Sequence, residues 1–345
     1  SISGRRYAIM KTLLVKRLES SFYAFKMSLV AFKKATDRMI AMFENDKVFI
    51  APDTDVNKLL DKGWNEADIE KEIERLAEEN PKNQTFKADD FNEGFLDDLK
   101  KDAALLKELV TRWNKIDYDP KLDVFIDKLT KQFLNKKTNL EGKLVIFSES
   151  KDTVDYLAKA LEQQGRKDVL VISAKNRKSS YETIVENFDA NFPNESEKEK
   201  GREQKNDFNI IITTEVLAEG VNLHRSNVVI HYDTPWNSTK LMQRIGRVNR
   251  IGTKSSRIFN YVFYPSAQGD SQIKLNKTAF MKIQAFHTAF GEDNQVFSIS
   301  EVEKEITTAK EPVSSILKSL SAEMYWNYYR TTAGNYTTVP PLINL

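Results

Sequence analysis

The residues best suited to chemistry lie on, or directly after, a helix predicted over residues 238–249. Gln243, Arg247 and Arg250 fall within roughly 60° of one another at about 100° of rotation per residue. Residues 240–257 carry six basic side chains and no acidic one. Because the planar guanidinium group matches two phosphate oxygens at once, this face predicts binding of an anionic, phosphate-containing ligand.

The remaining sides of this helix predict how it is held. Leu241, Ile245 and Val248 cluster opposite the basic face and predict packing against a core, while Arg244 points sideways. The alternative is a solvated basic face or a set of structural ion pairs. We give that alternative less weight because surface helices usually mix charges of both signs.

A polar loop precedes the helix in the chain and follows a predicted buried strand at 209–213. Thr213 and Thr214 end that strand, where hydroxyl groups and backbone amides can hold a phosphate. Gly220 permits a positive φ or a close approach to a ligand, and the amide of Asn222 both donates and accepts hydrogen bonds. Each residue alone is a weak signal, since a glycine after a strand is most often part of a turn.

The elements that must position these residues alternate between strand and helix. Short apolar runs, typical of strands buried on both faces, are separated by helical patterns and predict an α/β fold with one doubly wound parallel sheet. In such sheets ligands lie beyond the carboxyl ends of the strands. The predicted strands cover 144–148, 169–173, 209–213, 227–232 and 257–263.

The flanking regions are predicted to be helical. We expect an α-helical segment over 1–118, the α/β lobe over 119–268, and a helical C-terminal extension over 269–345. Within the lobe, residues 189–207 hold ten charges of mixed sign and are predicted to be a flexible, solvated insertion.

Composition excludes several classes of protein. The chain has 345 residues, a net charge of +2 and no cysteine, which excludes disulfides and thiolate zinc sites. Its three histidines show no ligand spacing, so no metal site is expected. No apolar run approaches the roughly 18 residues that span a bilayer, so no membrane partner is expected either. The absence of cysteine fits a cytoplasmic location.

The order of these motifs resembles that of the superfamily-two helicases and translocases. TTEVLAEGVNL at 213–223 and QRIGRVNRIG at 243–252 are similar to motifs five and six of that superfamily, and LVIFSE at 144–149 is similar to motif four. The resemblance is closest to ATP-dependent DNA translocases of the Swi/Snf class, especially the bacterial branch that recycles RNA polymerase. The turn 234–237 and, more weakly, residues 11–25 also resemble that branch. DEAD-box RNA helicases usually have histidine at the position of Gln243 and aspartate at that of Asn222.

The resemblance implies a role for each matching residue. Arg247 and Arg250 would be arginine fingers that reach the γ-phosphate of ATP, and Gln243 would orient their face. The loop residues Glu219, Gly220 and Asn222 would link nucleotide to nucleic acid. Strand phosphates would be contacted from the ends of three strands, by Thr213, Thr214, Ser148, Lys175 and Arg177, with Lys178 as a further cation. Trp236 could stack on a base, but a packing role is the stronger expectation.

The sequence lacks the nucleotide-binding motifs that the first lobe of such an enzyme carries. None of its 12 glycines opens a G-x-x-x-x-G-K-[ST] phosphate loop, and the chain has no Asp-Glu dipeptide. We therefore expect the C-terminal portion of a longer enzyme, inactive alone, whose first RecA-like lobe binds most of the ATP and Mg²⁺. Double-stranded DNA is the expected partner. Two alternatives remain open: a non-catalytic adaptor with a helicase-like fold, and a fragment of a DEAD-box RNA helicase.

Overall fold

The computed structural model describes residues 14–50, 82–218, 220–235, 238–266, 326–332 and 335–336, with residues 12, 75 and 80. The chain divides into two compact units, one of residues 1–25 and 118–345 and the other of residues 26–117. Residues 1–25 therefore group with the α/β lobe and not with the segment of residues 26–117. Glu219, Trp236 and most of the predicted C-terminal extension lie outside the described residues.

The unit of residues 26–117 is built from helices and one small β-ribbon. Helix α1 (Phe22–Glu44) begins in the other unit and leads to strand β1 (Val48–Ile50), which pairs antiparallel with β2 (Gln84–Phe86). Helix α2 (Phe95–Trp113) follows. The sequence predicted a nearly all-helical segment and missed the ribbon, because its three-residue strands are too short to show a periodic pattern.

The α/β unit confirms the predicted parallel sheet. Its strands are β3 (Leu144–Phe147), β4 (Val169–Ile172), β5 (Ile210–Thr213), β6 (Val228–His231) and β7 (Arg257–Phe263). They are parallel in the order β4-β5-β3-β6-β7. This is an α/β fold built on a five-stranded parallel sheet, with β3, β5 and β6 fully buried.

Both faces of this sheet are covered by apolar side chains, because alternate residues of each strand point to opposite faces. Ile146 and Leu144 pack with helices α3 (Pro120–Lys128) and α4 (Lys151–Gln163). Val145 and Phe147 face α5 (Tyr181–Phe188) and the end of α7 (Ser238–Val248). Burial of each such side chain contributes about 1.5–3 kcal/mol, so the sheet is a firm base for the loops at its ends.

The insertion at 189–207, which the sequence predicts to be flexible and solvated, contains internal contacts. It contains the short helix α6 (Glu195–Glu199) and is fixed through Arg202, which pairs with Glu197 at 2.8 Å and Glu186 at 3.2 Å. The Arg202 guanidinium also lies 5.0 Å from the ring centroid of Phe192. Several of the mixed charges that suggested solvation in the sequence are paired with one another.

Two strands occur where the sequence predicted a helical extension. Strand β8 (Trp326–Thr332) pairs antiparallel with β7, and β9 (Asn335–Tyr336) pairs with β8, so both extend the parallel sheet at one edge. Their polar and aromatic residues show no clear period of two, which hid them in the sequence. Throughout the described ranges, no helix is long and apolar enough to cross a membrane.

Candidate functional site

Helix α7 presents its residues in the arrangement that the sequence predicted. Leu241, Ile245 and Val248 are buried, whereas Gln243 and Arg247 are half-buried on another side of the helix. Arg250, just after the helix, is exposed. The core therefore fixes the helix through its apolar stripe and leaves the predicted arginine face at or near the surface.

The loop between β5 and β6 is joined to this arginine face. The guanidinium of Arg250 donates from Nη1 to the Oδ1 atom of Asn222, and from Nε to the carbonyl of Gly246 at 3.2 Å. The backbone N–H of Leu223 donates to the carbonyl of Arg247 at 2.9 Å. Residues that lie 28 positions apart in the chain are thus brought into contact.

Gly220 meets both conditions that its position suggested. Its φ is +79°, in the region that favours glycine, and a Cβ atom there would lie 2.5 Å from Nη2 of Arg177. The loop after β4 and the loop after β5 therefore touch at this glycine. A side chain at 220 would push Arg177 away from its position.

Arg244 has a different role from the sideways orientation predicted for it. It is fully buried, forms an ion pair with Glu215 and lies 5.2 Å from the ring centroid of Phe147. Burial lowers the pKa of the Arg244 guanidinium to about 10, although the charge of Glu149 acts in the opposite direction. Within the described part of the chain, its Nε and Nη1 atoms have no hydrogen-bond partner.

Ser148 and Thr213 are not placed for the phosphate contacts predicted for them. The Ser148 hydroxyl is buried and donates to Asp233 at 2.6 Å, and the buried Thr213 hydroxyl donates to the carbonyl of Thr214 at 3.2 Å. Both strand ends need internal partners for their polar groups, because buried hydroxyls are costly when unpaired. Thr214 is half-buried.

The cations after β4 remain candidates for phosphate contacts. Lys175 and Lys178 are exposed and Arg177 is half-buried. Asn176, which the sequence did not single out, fixes this loop: its Oδ1 accepts from the backbone N–H of Ser173 at 2.7 Å, and its Nδ2 donates to Val171 at 2.9 Å. Asn176 lies four residues after the end of β4, and Asn side chains commonly bond nearby backbone groups in turns.

A separate polar cluster joins the N-terminal helical residues 14–20 to the lobe. The fully buried Lys121 donates from Nζ to the carbonyls of Glu19 at 2.6 Å and Ser20 at 3.0 Å. Asp233 accepts from Ser20 at 2.7 Å, and Glu19 accepts from the hydroxyl of Ser266 at 2.6 Å. A cavity of about 200 Å³ adjoins this cluster. Because Lys121, Asp233 and Glu19 each have hydrogen-bond partners within the cluster, it anchors the N-terminal segment to the lobe.

Comparison with known proteins points to the same kind of domain. Residues 124–252 match the family described as the helicase conserved C-terminal domain. The chain is 26% identical over 212 residues to the uncharacterized ATP-dependent helicase YqhH of Bacillus subtilis, covering 60% of this chain and 33% of that protein. It is also 26% identical over 157 residues to the ATP-dependent RNA helicase DBP2 of Candida glabrata, covering 46% and 26%.

One solved structure of a similar chain is the C-terminal part of the Fun30 ATPase domain. Its sequence identity is 15% and its TM-score is 0.36, and the match covers 80% of this chain and 84% of that one. Another is the Dbp5 protein of S. cerevisiae bound to RNA and ADP BeF3, with 20% identity and a TM-score of 0.30, covering 55% and 42%. The chain spans about a third or less of the length of the two curated helicases. Residues 124–252, which include most of the parallel sheet, are thus similar to a helicase conserved C-terminal domain.

Proposed function

We propose that this helicase C-terminal lobe works in an ATP-dependent DNA translocase of the Swi/Snf type, in which Arg247 and Arg250 act on a nucleotide held by another lobe. The observation that carries the proposal is the contact between Arg250 and Asn222. It joins the helix that bears the arginines to the loop that follows β5, so a change at one is transmitted to the other.

The donor set suits a polyphosphate. Arg250 is exposed, and its neighbour Arg247 lies one turn earlier near the same face. Guanidinium groups held in position by the protein stabilise the negative charge that develops on a transferring phosphoryl group. ATP would supply the free energy of hydrolysis. We place its phosphate loop and Mg²⁺ ligands in a partner lobe, because the sequence has no G-x-x-x-x-G-K-[ST] motif.

The nucleic acid would contact the loops after β4 and β5. Lys175, Arg177 and Lys178 supply three cations there, and Gly220 lets Arg177 approach the β5–β6 loop closely. Lysine and arginine side chains bind backbone phosphates without regard to base sequence, as a translocase requires. Gln243 and Asn222, which replace the histidine and aspartate usual in DEAD-box helicases, favour DNA.

An RNA helicase is the second candidate, because relatives such as the RNA helicase DBP2 share 26% identity with the chain. The two are separated by the ATPase activity of the intact longer protein with double-stranded DNA or with RNA. We expect stimulation by duplex DNA. Stimulation by RNA alone would favour the second candidate, and no stimulation by either would favour a non-catalytic adaptor.

The arginine assignment is tested by Arg250→Ala in that longer protein. We expect nucleic-acid-stimulated turnover to fall by about 10³-fold or more, as is usual when an arginine finger is lost. The matched control is Arg166→Ala, since Arg166 pairs with Asp168 through an Nε bond of 3.0 Å away from this site. Near-normal turnover in Arg250→Ala would overturn the assignment.

A further inference from the structure

A third residue completes the contact between Arg250 and the β5–β6 loop. The Nδ2 atom of Asn222 donates to Oδ2 of Asp189 at 3.1 Å, while Oδ1 of the same amide accepts from Arg250. Asp189 directly follows α5, in the insertion that the sequence predicted to be flexible. The three side chains form a continuous chain of hydrogen bonds from a carboxylate to the arginine.

The carboxylate fixes the direction of the intervening amide. An ionised carboxylate only accepts hydrogen bonds, so Asn222 must turn its NH₂ group toward Asp189. Its carbonyl oxygen is then left facing Arg250, where only an acceptor can bind a guanidinium. If the amide were reversed, an NH₂ group would face the arginine and the contact would be lost.

The same turn also touches the backbone beyond Arg250. The Nδ2 atom of Asn191 donates to the carbonyl of Ile251 at 3.3 Å. Gly252 has a φ of +101°, and a Cβ atom there would overlap Oδ1 of Asn191. The side chain of Arg250 is therefore held by Asn222, and the backbone that follows Arg250 in the chain contacts Asn191.

The turn itself is firmly held. The backbone N–H of Asp189 donates to Val185 at 3.1 Å, its carbonyl accepts from Gln204 at 3.2 Å, and its Oδ1 accepts from the N–H of Asn191 at 2.9 Å. The buried His224 places Nδ1 3.6 Å from the same carboxylate. Because Asp189 is held by several contacts, its carboxylate can determine the orientation of the Asn222 amide, which has fewer.

We propose that Asp189 is a positioning residue for Arg250, acting through the orientation of the Asn222 amide, with Asn191 supporting the adjacent backbone. The inference rests on the proposed function, in which Arg250 acts on the nucleotide. Asp189 does not touch the nucleotide in this account. Its effect is to keep the guanidinium where the transition state needs it.

The test exchanges the two side chains. In the intact longer protein, Asp189→Asn allows the Asn222 amide to reverse, and Asn222→Asp places two carboxylates against each other. Each single variant is expected to lower kcat by about ten- to hundredfold with little change in KM, the size of effect that misplaced groups have. The double variant restores the pattern with the two groups exchanged, because an amide at position 189 donates to a carboxylate at position 222, which in turn accepts from Arg250.

We expect the double variant to recover turnover to within about threefold of the wild type, a coupling between neighbours that a merely structural role would not produce. Asp155→Asn, on an exposed helix face, is the matched control for the same chemical change. Wild-type turnover in Asp189→Asn, or a double variant no better than Asn222→Asp, would overturn the positioning role. If Arg250→Ala itself left turnover intact, the proposed function would fail instead.

Discussion

Two buried arginines, one before and one after strand β6, differ in the number of hydrogen-bond partners around their guanidinium groups. Arg225, before the strand, is 4% exposed and donates to Asn187 at 2.9 Å and to Lys205 and Asn206 at 2.7 Å, besides pairing with Glu141 at 3.1 Å. Arg244, after the strand, is 0% exposed and pairs with Glu215 alone among the described side chains that it could reach.

This difference indicates a structural role for Arg225 and a functional role for Arg244. A buried cation whose donors are all satisfied, like Arg225, contributes to folding by tying the insertion to the sheet. Among the described residues, Arg244 has no partner for its Nε and Nη1 atoms, and polar groups that a fold leaves without internal partners are typical of functional regions. Arg244 also lies on α7, which carries the proposed finger residue Arg247. Its guanidinium group is therefore close in the chain to the proposed site.

The largest effect on stability is expected for Arg225→Met. Besides Glu141, the change leaves Asn206 and the backbone carbonyls of Asn187 and Lys205 without their donor. Each acceptor left unpaired in the interior costs about 1–3 kcal/mol, so we expect a total loss of about 3–5 kcal/mol. Chemical denaturation of the chain measures the free energy of unfolding directly. Arg166→Met, at a partly exposed pair, is the control and should cost about 1 kcal/mol or less. Similar costs for both variants would contradict the structural role of Arg225.

Acid should act through the histidine that ends β6. Burial lowers the pKa of His231 to about 3, and its ring stacks on Phe147 at 6.2 Å. His231 is therefore protonated near pH 6.5 in the unfolded chain but only near pH 3 in the folded chain. The free energy of unfolding decreases as pH falls from about 6.5 toward 3, by up to about 1.4 kcal/mol per pH unit. Denaturation between about pH 7 and pH 4 should show a shallower loss in His231→Phe than in the wild type.

His224, before β6, provides the comparison for this effect. Burial lowers its pKa as well, but the nearby carboxylate of Asp189 raises it. His224→Phe should therefore flatten the acid loss less than His231→Phe does. The reverse order, or an unchanged slope in both variants, would show that these imidazoles are not what makes the fold sensitive to acid.

Arg244→Met is expected to cost less stability than Arg225→Met, about 1.5 kcal/mol or less. Methionine fills a similar volume against Phe147, and the Glu215 side chain is 28% exposed and can regain water. The two variants are compared by the same denaturation experiment. A loss as large as that of Arg225→Met would mean that Arg244 is a structural residue and that the contrast between them is false.

The smallest effects are expected at the loop after β4. Lys175→Ala and Lys178→Ala should each weaken nucleic-acid binding by the longer protein and reduce the slope of log affinity against log salt by about 1. Lys131→Ala, at an exposed lysine just after α3 that pairs with Asp127, should leave the slope unchanged. Equal slopes in all three variants would remove this loop from the binding surface.

Sequence patterns predicted the parts of the molecule that follow from local periodicity. The five apolar runs became parallel strands, and the stripe of Leu241, Ile245 and Val248 became the buried side of α7. Gly220 was singled out because its freedom at positive φ is a property of the residue itself. These features need no knowledge of what lies far away in the chain.

Several of the failures involve partners that are distant in sequence. Ser148 was expected to contact phosphate, but Asp233, 85 residues later, occupies its hydroxyl. The insertion was expected to be flexible, but Arg225 reaches it from beyond β5. Asp189 was overlooked for the same reason, since its meaning depends on Asn222, 33 residues away. Charge and polarity can be read from the sequence, but the pairing of charges depends on the fold.

The central claim is tested most directly by measuring ATP turnover and the free energy of unfolding on the same preparations of Arg225→Met and Arg250→Ala in the longer protein. We predict opposite patterns. Arg225→Met should lose stability and keep near-normal turnover per folded molecule, whereas Arg250→Ala should keep stability to within about 0.5 kcal/mol, as exposed positions do, and lose its turnover. Near-normal turnover in Arg250→Ala, in a protein as stable as the wild type, would contradict the account.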